Sequence, residues 1–564
     1  MPTIGEEGLK AGLARWSAGW RGPILAALLA LLAGLPGLLA MPPLDRDESR
    51  FAQATAQMLE QDDYVVIRFQ DQPRFKKPVG IHWLQAASVA AVSDPDARQI
   101  WAYRLPSLIG AMLAAGACAW GAAVFFGSST GLIAGMILGS SLLLSTEAFI
   151  AKTDAVLCGT TTLALACLAR IYANQREGKT SPRLTRFIFW LAISVATLVK
   201  GPIGPMVVIL TVLGLSIWDR KAKWITTLGW GWGLILFVAI VGPWAWAVTV
   251  ATDGVFWKAA IIGDLAPKLS GGQESHGAPF GYHSLAAIVQ SFPATLLLPA
   301  GLMLSWHHRA EPGVRFALCW LVPTWLIFEL TPTKLSHYAL PCYGALAWLA
   351  AAALREPIGA GVRWIGAGLQ ALVGLLLAIG AGYLMNLYGE LQDLPAAVLT
   401  GLAFAAAGGI GAYWFLKHQP LRALVWALPL GILAHSFLVG ALLPQLEPIL
   451  LSKRIEAVLA NSQLLPRQGT APGPIAVAGY AEPSLVFAIG TGTDLGDAKD
   501  AAEALADHRA AVVEGREQPA FQTTLKTLGV KPRLIGTIKG LDYSNGDEMT
   551  LSVYAPAAPQ EPQP

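Results

Sequence analysis

Apolar residues along this chain come in long unbroken runs, not in the one-sided stripes of a protein bathed in water. The runs cover residues 22–41, 104–126, 130–147, 154–172, 186–199, 203–218, 225–248, 284–305, 316–330, 338–354, 364–385, 395–416 and 422–443. A helix needs roughly 17 to 25 mostly apolar residues to cross a hydrocarbon core, where no water is present to satisfy an open backbone. The pattern predicts a mainly α, polytopic membrane protein of about 13 transmembrane helices. Alternating strands are absent from these runs, so a β-barrel is excluded. The first run follows Lys10, Arg15 and Arg21, but Leu38-Leu39-Ala40 is a poor cleavage site, and the run reads as a retained helix.

Polar positions between the runs set the topology. With residues 1–21 in the cytoplasm, Arg176, Lys179, Arg183 and Arg186, then Arg220, Lys221 and Lys223, then Arg309 and Arg315, Arg355 and Arg363, and Lys417 and Arg422 all fall on the cytoplasmic side. Residues 22–443 then form the membrane domain. The loops 42–104 and 249–283 and everything after Pro444 face outward. Lys200-Gly201-Pro202 ends the short fifth run in a helix break near that outer surface. Past about residue 465 the pattern changes to strand-like runs at 474–478, 484–489, 510–513 and 549–554, separated by helical stretches such as 498–507. Residues 444–556 are therefore expected to form a small outer α/β domain, with a Pro-rich disordered tail at 557–564. Gly490-Thr491-Gly492-Thr493 lacks the lysine and spacing of a phosphate loop and reads as a turn.

Composition agrees: hydrophobic residues make up 54% of the chain and charged ones 14%, with a mean hydropathy of +0.50. A net charge of +3 spread over short clusters offers no tract for nucleic acid. The five cysteines, Cys118, Cys158, Cys167, Cys319 and Cys342, lie in or beside apolar runs and read as packing residues. No Walker, HExxH, GxSxG or paired metal-ligand spacing is present, which removes nucleotide hydrolysis, zinc proteolysis and serine hydrolysis.

One segment departs from this economy of charge. Loop 42–104 holds nine acidic and eight basic side chains, against the positive-inside trend. Residues 47–59 read as an interfacial amphipathic helix with Phe51, Thr55, Met58 and Leu59 toward lipid, and with Asp47 and Arg50 close enough to meet on another face. Arg74-Phe75-Lys76-Lys77-Pro78 is a basic cluster suited to a lipid phosphate; its blander reading is a set of snorkelling side chains over headgroups. Lys152-Thr153-Asp154, Lys200, and Lys334 with His337 and Tyr338 place further ionisable groups at helix ends on the same side. Asp45-Arg46-Asp47 is formally a DxD, but on an outer loop it lies away from nucleotide-sugar pools.

Asp47-Glu48-Ser49-Arg50, Met58-Leu59, Phe75-Lys76-Lys77-Pro78 and Trp83 together resemble the first outer loop of bacterial membrane glycosyltransferases of the aminoarabinose transferase and protein mannosyltransferase superfamily. Lys152-Thr153-Asp154, the stretch from Thr197 through Lys200 to Pro202, Pro243-Trp244 and the stretch from Lys334 to Tyr338 follow in the family's order, so the resemblance covers about residues 20–355. It implies a GT-C fold and transfer of a sugar from a polyprenyl-phosphate carrier to an envelope lipid, glycan or protein acceptor at the outer face of the inner membrane. By the same resemblance Lys77, with Lys200 or Arg50, would stabilise the departing phosphate. Asp47, with Asp154 as a second candidate, would orient the acceptor or act as its base, and Lys334, His337 and Tyr338 would complete substrate binding. The aminoarabinose branch carries a glutamate before the phosphate-binding lysine, where this chain has Lys76. A divalent-metal ligand implied for that branch is thus missing, no cofactor is otherwise indicated, and aminoarabinose specificity does not carry over. Two other classes compete: a transporter or flippase, whose polar residues would line a path between both faces, and an assembly protein working through its outer tail.

Overall fold

The computed structural model describes residues 6–271 and 277–556. The expected disordered tail at 557–564 and the first five residues of the N-terminal segment lie outside them. Among the described residues, eight helices are long and apolar enough to cross a membrane: Arg21–Ala40, Ile100–Phe126, Asp154–Arg176, Trp230–Ala251, Pro312–Leu330, Ala360–Tyr388, Leu391–Leu416 and Pro420–Gln445. The remaining apolar runs fold as shorter or broken helices. Residues 130–147 divide between Ser128–Gly139 and Leu142–Glu147, and residues 284–305 between Tyr282–Gln290 and Leu298–His307. Breaks at membrane depth need internal partners. Gln370, fully buried, provides them for the second break: its amide donates to the carbonyls of Pro293 (3.0 Å) and Ala407 (3.2 Å) and accepts from the Leu296 N–H (3.2 Å).

Small residues let the helices approach closely, as expected where lipid supplies no hydrophobic drive between them. Helices Ile100–Phe126 and Asp154–Arg176 cross at Gly110 and Gly159, where a methyl group on Gly159 would collide with the Gly110 carbonyl. Further along, Phe125, Phe316, Trp320 and Trp348 fill the middle of the bundle with edge and stacked contacts. The indole N–H groups of Trp320 and Trp348 are satisfied by the carbonyls of Pro341 (2.9 Å) and Cys118 (3.0 Å). A packed aromatic plug of this kind is the opposite of a polar conduit. All five cysteines are buried and free, in keeping with a packing role.

Beyond Pro444 the chain builds a five-stranded sheet. After a two-strand hairpin in loop 42–104, β1 (Arg68–Phe69) and β2 (Gln72–Pro73), come β3 (Ala476–Ala478), β4 (Asp494–Gly496), β5 (Ala511–Glu514), β6 (Arg533–Asp542) and β7 (Asp547–Ala555). Their order is β4-β3-β5-β7-β6; β3 runs parallel to β4 and β5, and β7 antiparallel to β5 and β6. Ala476 and Ala478 pack on the helices Ala498–Ala506 and Gln518–Leu528, whereas Ile475 and Val477 face Leu451–Asn461 and Pro483–Ile489. The run 484–489, expected as a strand, is part of a short helix. Every residue of Pro483–Ile489 is buried, so no polar face reveals a helical period, and the run reads the same as a buried strand.

Loop 42–104 is locked to the bundle by a buried ion pair. The guanidinium of Arg104 donates to both carboxylate oxygens of Glu48, at 2.8 Å and 2.7 Å, and to the carbonyls of Met41 (2.6 Å) and Pro42 (2.9 Å). Glu48 also accepts the backbone N–H groups of Leu44 and Ala151, each at 2.8 Å. With Glu48 and Arg104 at 1% and 0% exposure, removing one partner strands the other. Arg104→Met should cost about 3–5 kcal/mol and Glu48→Gln about 1–3 kcal/mol, read as thermal unfolding in detergent. An Arg104→Met protein melting like wild type would remove this pair from its structural role.

Candidate active site

Helix Asp47–Gln61 starts immediately after Arg46, whose backbone (φ 60°, ψ −106°) lies in a region that a residue with a Cβ rarely visits. This sharp entry turns Asp47 away from the helix's buried side. Its apolar face packs on protein, not on lipid as the amphipathic pattern suggested. Phe51 lies between the Arg74 guanidinium (4.5 Å) and the His82 ring (5.4 Å), Thr55 is hydrogen-bonded to His82 (2.8 Å) and Gln85 (2.7 Å), and Met58 packs with Val79 and Trp244. Amphipathicity reports that one face is covered; it does not say by what.

Three separate helix ends bring charge to the same place. Helix Arg183–Lys200 ends in Gly201, whose φ of +60° permits the reversal into Ile203–Asp219 and leaves Lys200 at the corner. Lys200 Nζ donates to Asp154 Oδ1 at 2.5 Å. Lys152 Nζ lies 3.0 Å from Glu147 Oε1, 3.9 Å from Asp154 Oδ2 and 3.3 Å from His337 Nδ1, and His337 Nε2 is 3.7 Å from Asp154 Oδ2. Tyr338 sets its ring 5.4 Å from the Lys200 ammonium. Burial pulls the His337 pKa down to about 3 against the pull of Asp154, so this imidazole is neutral near pH 7. For Lys152 burial opposes the charge, but Glu147, Asp154 and Asp47 together raise its pKa.

These groups line a polar cavity of about 270 Å³ that contains Asp47, Arg50, Lys77, Asp154, Lys200, His337 and Tyr338, seven of the eight sequence candidates. Asp47 is open to the cavity; burial would raise its pKa, yet Lys152 and Arg74 hold it below the usual carboxylate value. Arg50 does not meet Asp47 as the spacing suggested; the counter-charge it feels is Glu482. The eighth candidate, Lys334, is elsewhere: its ammonium donates to the carbonyls of Thr331 (2.7 Å) and Ala278 (3.0 Å), fastening one loop to another.

A second cavity, of about 580 Å³, opens beside the first and is walled by Leu157, Ile203, Met206, Phe256, Trp257, Ile261, Ile327 and Phe328. Lys76, Lys77, Lys200, Asp264, Lys268 and Tyr338 border both cavities. Lys77 makes no hydrogen bond or ion pair among the described residues. Burial, then Lys200 and Lys268, push its pKa down to about 7, only partly offset by Asp264 and Asp154. Positive charge is concentrated there beyond what the protein neutralises, which is the signature of a place built for an anion.

Sequence reasoning passed over Glu147, Asp264 and Lys268. Glu147 sits at the end of an apolar run, where a lone carboxylate is itself a signal. The pair Lys268 and Asp264 (2.6 Å) lies in loop 249–283, Asp264 on a π-helical turn, Ala259–Leu265, that no local pattern announces and Lys268 on the short helix after it, Ala266–Ser270. The residues do not fit the metal implied by the aminoarabinose branch: among the described residues no three His, Cys, Asp or Glu side chains converge as ligands, and the position beside Lys77 is the cationic Lys76.

A family model described as dolichyl-phosphate-mannose-protein mannosyltransferase matches residues 76–246. An undecaprenyl phosphate-α-4-amino-4-deoxy-L-arabinose arabinosyl transferase of Pseudomonas aeruginosa is 30% identical over 427 residues, covering 73% of this chain and 74% of that one. The transferase of the same name from Pectobacterium carotovorum is 28% identical over 437 residues, 75% of each chain. The crystal structure of ArnT from Cupriavidus metallidurans bound to undecaprenyl phosphate superposes with a TM-score of 0.74 over 96% of this chain and 99% of that one, at 18% identity. The fold is thus shared end to end, and the chain belongs to the family of undecaprenyl phosphate-α-4-amino-4-deoxy-L-arabinose arabinosyl transferases, a membrane glycosyltransferase of the GT-C class.

Proposed function

We propose that this enzyme takes a sugar from undecaprenyl phosphate, seats the carrier's lipid chain in the apolar cavity, and transfers the sugar to an anionic envelope acceptor in the polar one. The observation that carries this is the place of Lys77. It lies where the apolar and polar cavities meet, so a phosphate joining a lipid to a sugar would fall on its ammonium. The relatives' names specify an undecaprenyl-phosphate donor, which is such a molecule.

In the reaction an acceptor oxygen attacks the anomeric carbon, the bond from that carbon to the carrier phosphate oxygen breaks, and both electrons leave with the phosphate. Lys77, Lys200 and Lys268 stabilise the charge that collects there. Asp47, ionised and open to the cavity, orients the acceptor and takes its proton when the acceptor is a hydroxyl; Asp154 holds Lys200 in place. An acceptor that is already a phosphate brings no proton to remove. Eight basic against four acidic side chains line the polar cavity, more positive charge than one carrier phosphate neutralises, which favours a phosphorylated or otherwise acidic acceptor such as lipid A. Orientation follows the positive-inside loops: N-terminus in the cytoplasm, with the site and the domain 444–556 at the periplasmic face of the inner membrane.

Lys77→Ala should lower transfer by about 100-fold or more, with Lys77→Arg retaining most of it. Mass spectrometry of envelope lipids from a strain lacking the enzyme, complemented with each variant, identifies the sugar and reads the loss; full restoration by Lys77→Ala would exclude this site. Carrier binding should also depend on pH. Free Lys77 titrates near 7, and a bound phosphate raises that value, so binding takes up a proton. Affinity for undecaprenyl phosphate is then greatest below pH 7 and falls as pH rises toward the liganded pKa. A titration between pH 6 and 9 should show this slope in wild type and lose it in Lys77→Arg; equal slopes in the two proteins would contradict the assignment.

A further inference from the structure

The C-terminal domain reaches the catalytic loop at two points. At one, Arg98 donates to the carbonyls of Phe487 (2.9 Å) and Val486 (3.2 Å) and pairs with Glu60, while Gln53 bonds Thr491 (2.7 Å). This contact meets the helix at Gln53, six residues past Asp47, and the far end of the loop at Arg98.

The other contact is adjacent to Asp47. The hairpin between β6 and β7 presents Tyr543, whose hydroxyl accepts the backbone N–H of Asp45 at 2.7 Å. That hairpin tip is prearranged: the Asp542 side chain accepts the Ser544 N–H (3.0 Å), its carbonyl accepts the Gly546 N–H (2.7 Å), and the Asn545 side chain accepts the Asp547 N–H (2.8 Å). One residue earlier, Glu48 holds the Leu44 N–H at 2.8 Å and is itself fixed by Arg104. Arg46, at φ 60° and ψ −106°, follows these two anchors and is held on its other side by the first helical bond, from the Arg50 N–H to its carbonyl (3.0 Å). A backbone held in so sparsely populated a conformation relaxes unless it is secured from both ends. Released at Asp45, the turn would swing Asp47, the next residue but one, across the cavity mouth.

We infer that Tyr543 is a positioning residue for sugar transfer, the point at which the C-terminal domain fixes the Asp45-Arg46-Asp47 turn and with it the carboxylate of Asp47. This rests on the reading of Asp47 as the acceptor-facing group. The surroundings are consistent with a purely positional role. The charged groups facing Asp45 are the carboxylates of Glu482 and Asp542, with Ser484 beside them, and Glu482 in turn faces Arg46 and Arg50. Lys77 and the apolar cavity are not touched by the hairpin, so carrier binding is independent of it.

The test uses the full-length enzyme in phospholipid vesicles, with donor lipid and acceptor lipid extracted from the strain lacking it. Tyr543→Phe keeps the ring and removes the acceptor for the Asp45 N–H; kcat should fall by about ten- to a hundred-fold, the cost of misplacing a reacting group by a fraction of an ångström to an ångström. KM for the donor and affinity for undecaprenyl phosphate should stay within about two-fold, because the phosphate cradle is intact. Wild-type kcat in Tyr543→Phe overturns the inference, as does a parallel loss of kcat, carrier affinity and melting temperature, which marks a merely structural contact. Asp47→Asn separates the two layers. If it transfers normally, the reading of Asp47 fails; if it is inactive while Tyr543→Phe is normal, only the role of Tyr543 falls.

Discussion

Everything near the site hangs from the buried contact between Glu48 and Arg104. A charge taken out of water costs several kcal/mol unless its partners are arranged around it. Here the arrangement enlists four separate pieces of chain: the end of the first membrane helix at Met41 and Pro42, the start of the catalytic helix, helix Ile100–Phe126, and the turn before Asp154 at Ala151. None of these can shift without leaving a polar group unpaired in a dry interior. The loop that carries Asp47 and Lys77 is long and highly charged, and would otherwise have every reason to wander. One carboxylate and one guanidinium convert it into a fixed wall.

Lys200, held by Asp154 and capped by Tyr338, and Lys77, held by nothing among the described residues, illustrate how charge is divided between structure and chemistry. The first already has its partners inside the protein before it meets a ligand. The second is kept costly by its neighbours until an anion arrives. A site that stores this imbalance binds its ligand by relieving a penalty already present, and it does so where the apolar and polar cavities share a border.

Much of this was legible in the order of residues. Runs of apolar residues announced the membrane helices because lipid tolerates so few exceptions, and a loop with seventeen charges stood out against that background for the same reason. Seven of the residues that line the polar cavity were picked out by that contrast and by the family resemblance. What escaped detection was whatever depended on three-dimensional company. Lys334 is a cation at the expected helix end, yet two backbone carbonyls claim it. Asp264 and Lys268 reach the cavity from elements with no distinctive pattern. The run 484–489 looked like a strand because complete burial erases the period that separates strand from helix, and Phe51 and Met58 were assigned to lipid because an apolar face carries no label for its partner.

The apolar cavity is walled on one side by the segment after helix Trp230–Ala251, where Val255, Ile261 and Ile262 remain exposed on the outside of the protein. Apolar surface therefore runs from the cavity to the outside of the protein, the kind of surface that lies against lipid. A donor that reaches the site through that side never passes through water, and its search takes place in two dimensions. The quantity that governs turnover is then the number of donor molecules per unit area of membrane. An enzyme of this construction responds to crowding of the leaflet by other polyprenyl phosphates, each of which presents the same head and tail to the same doorway.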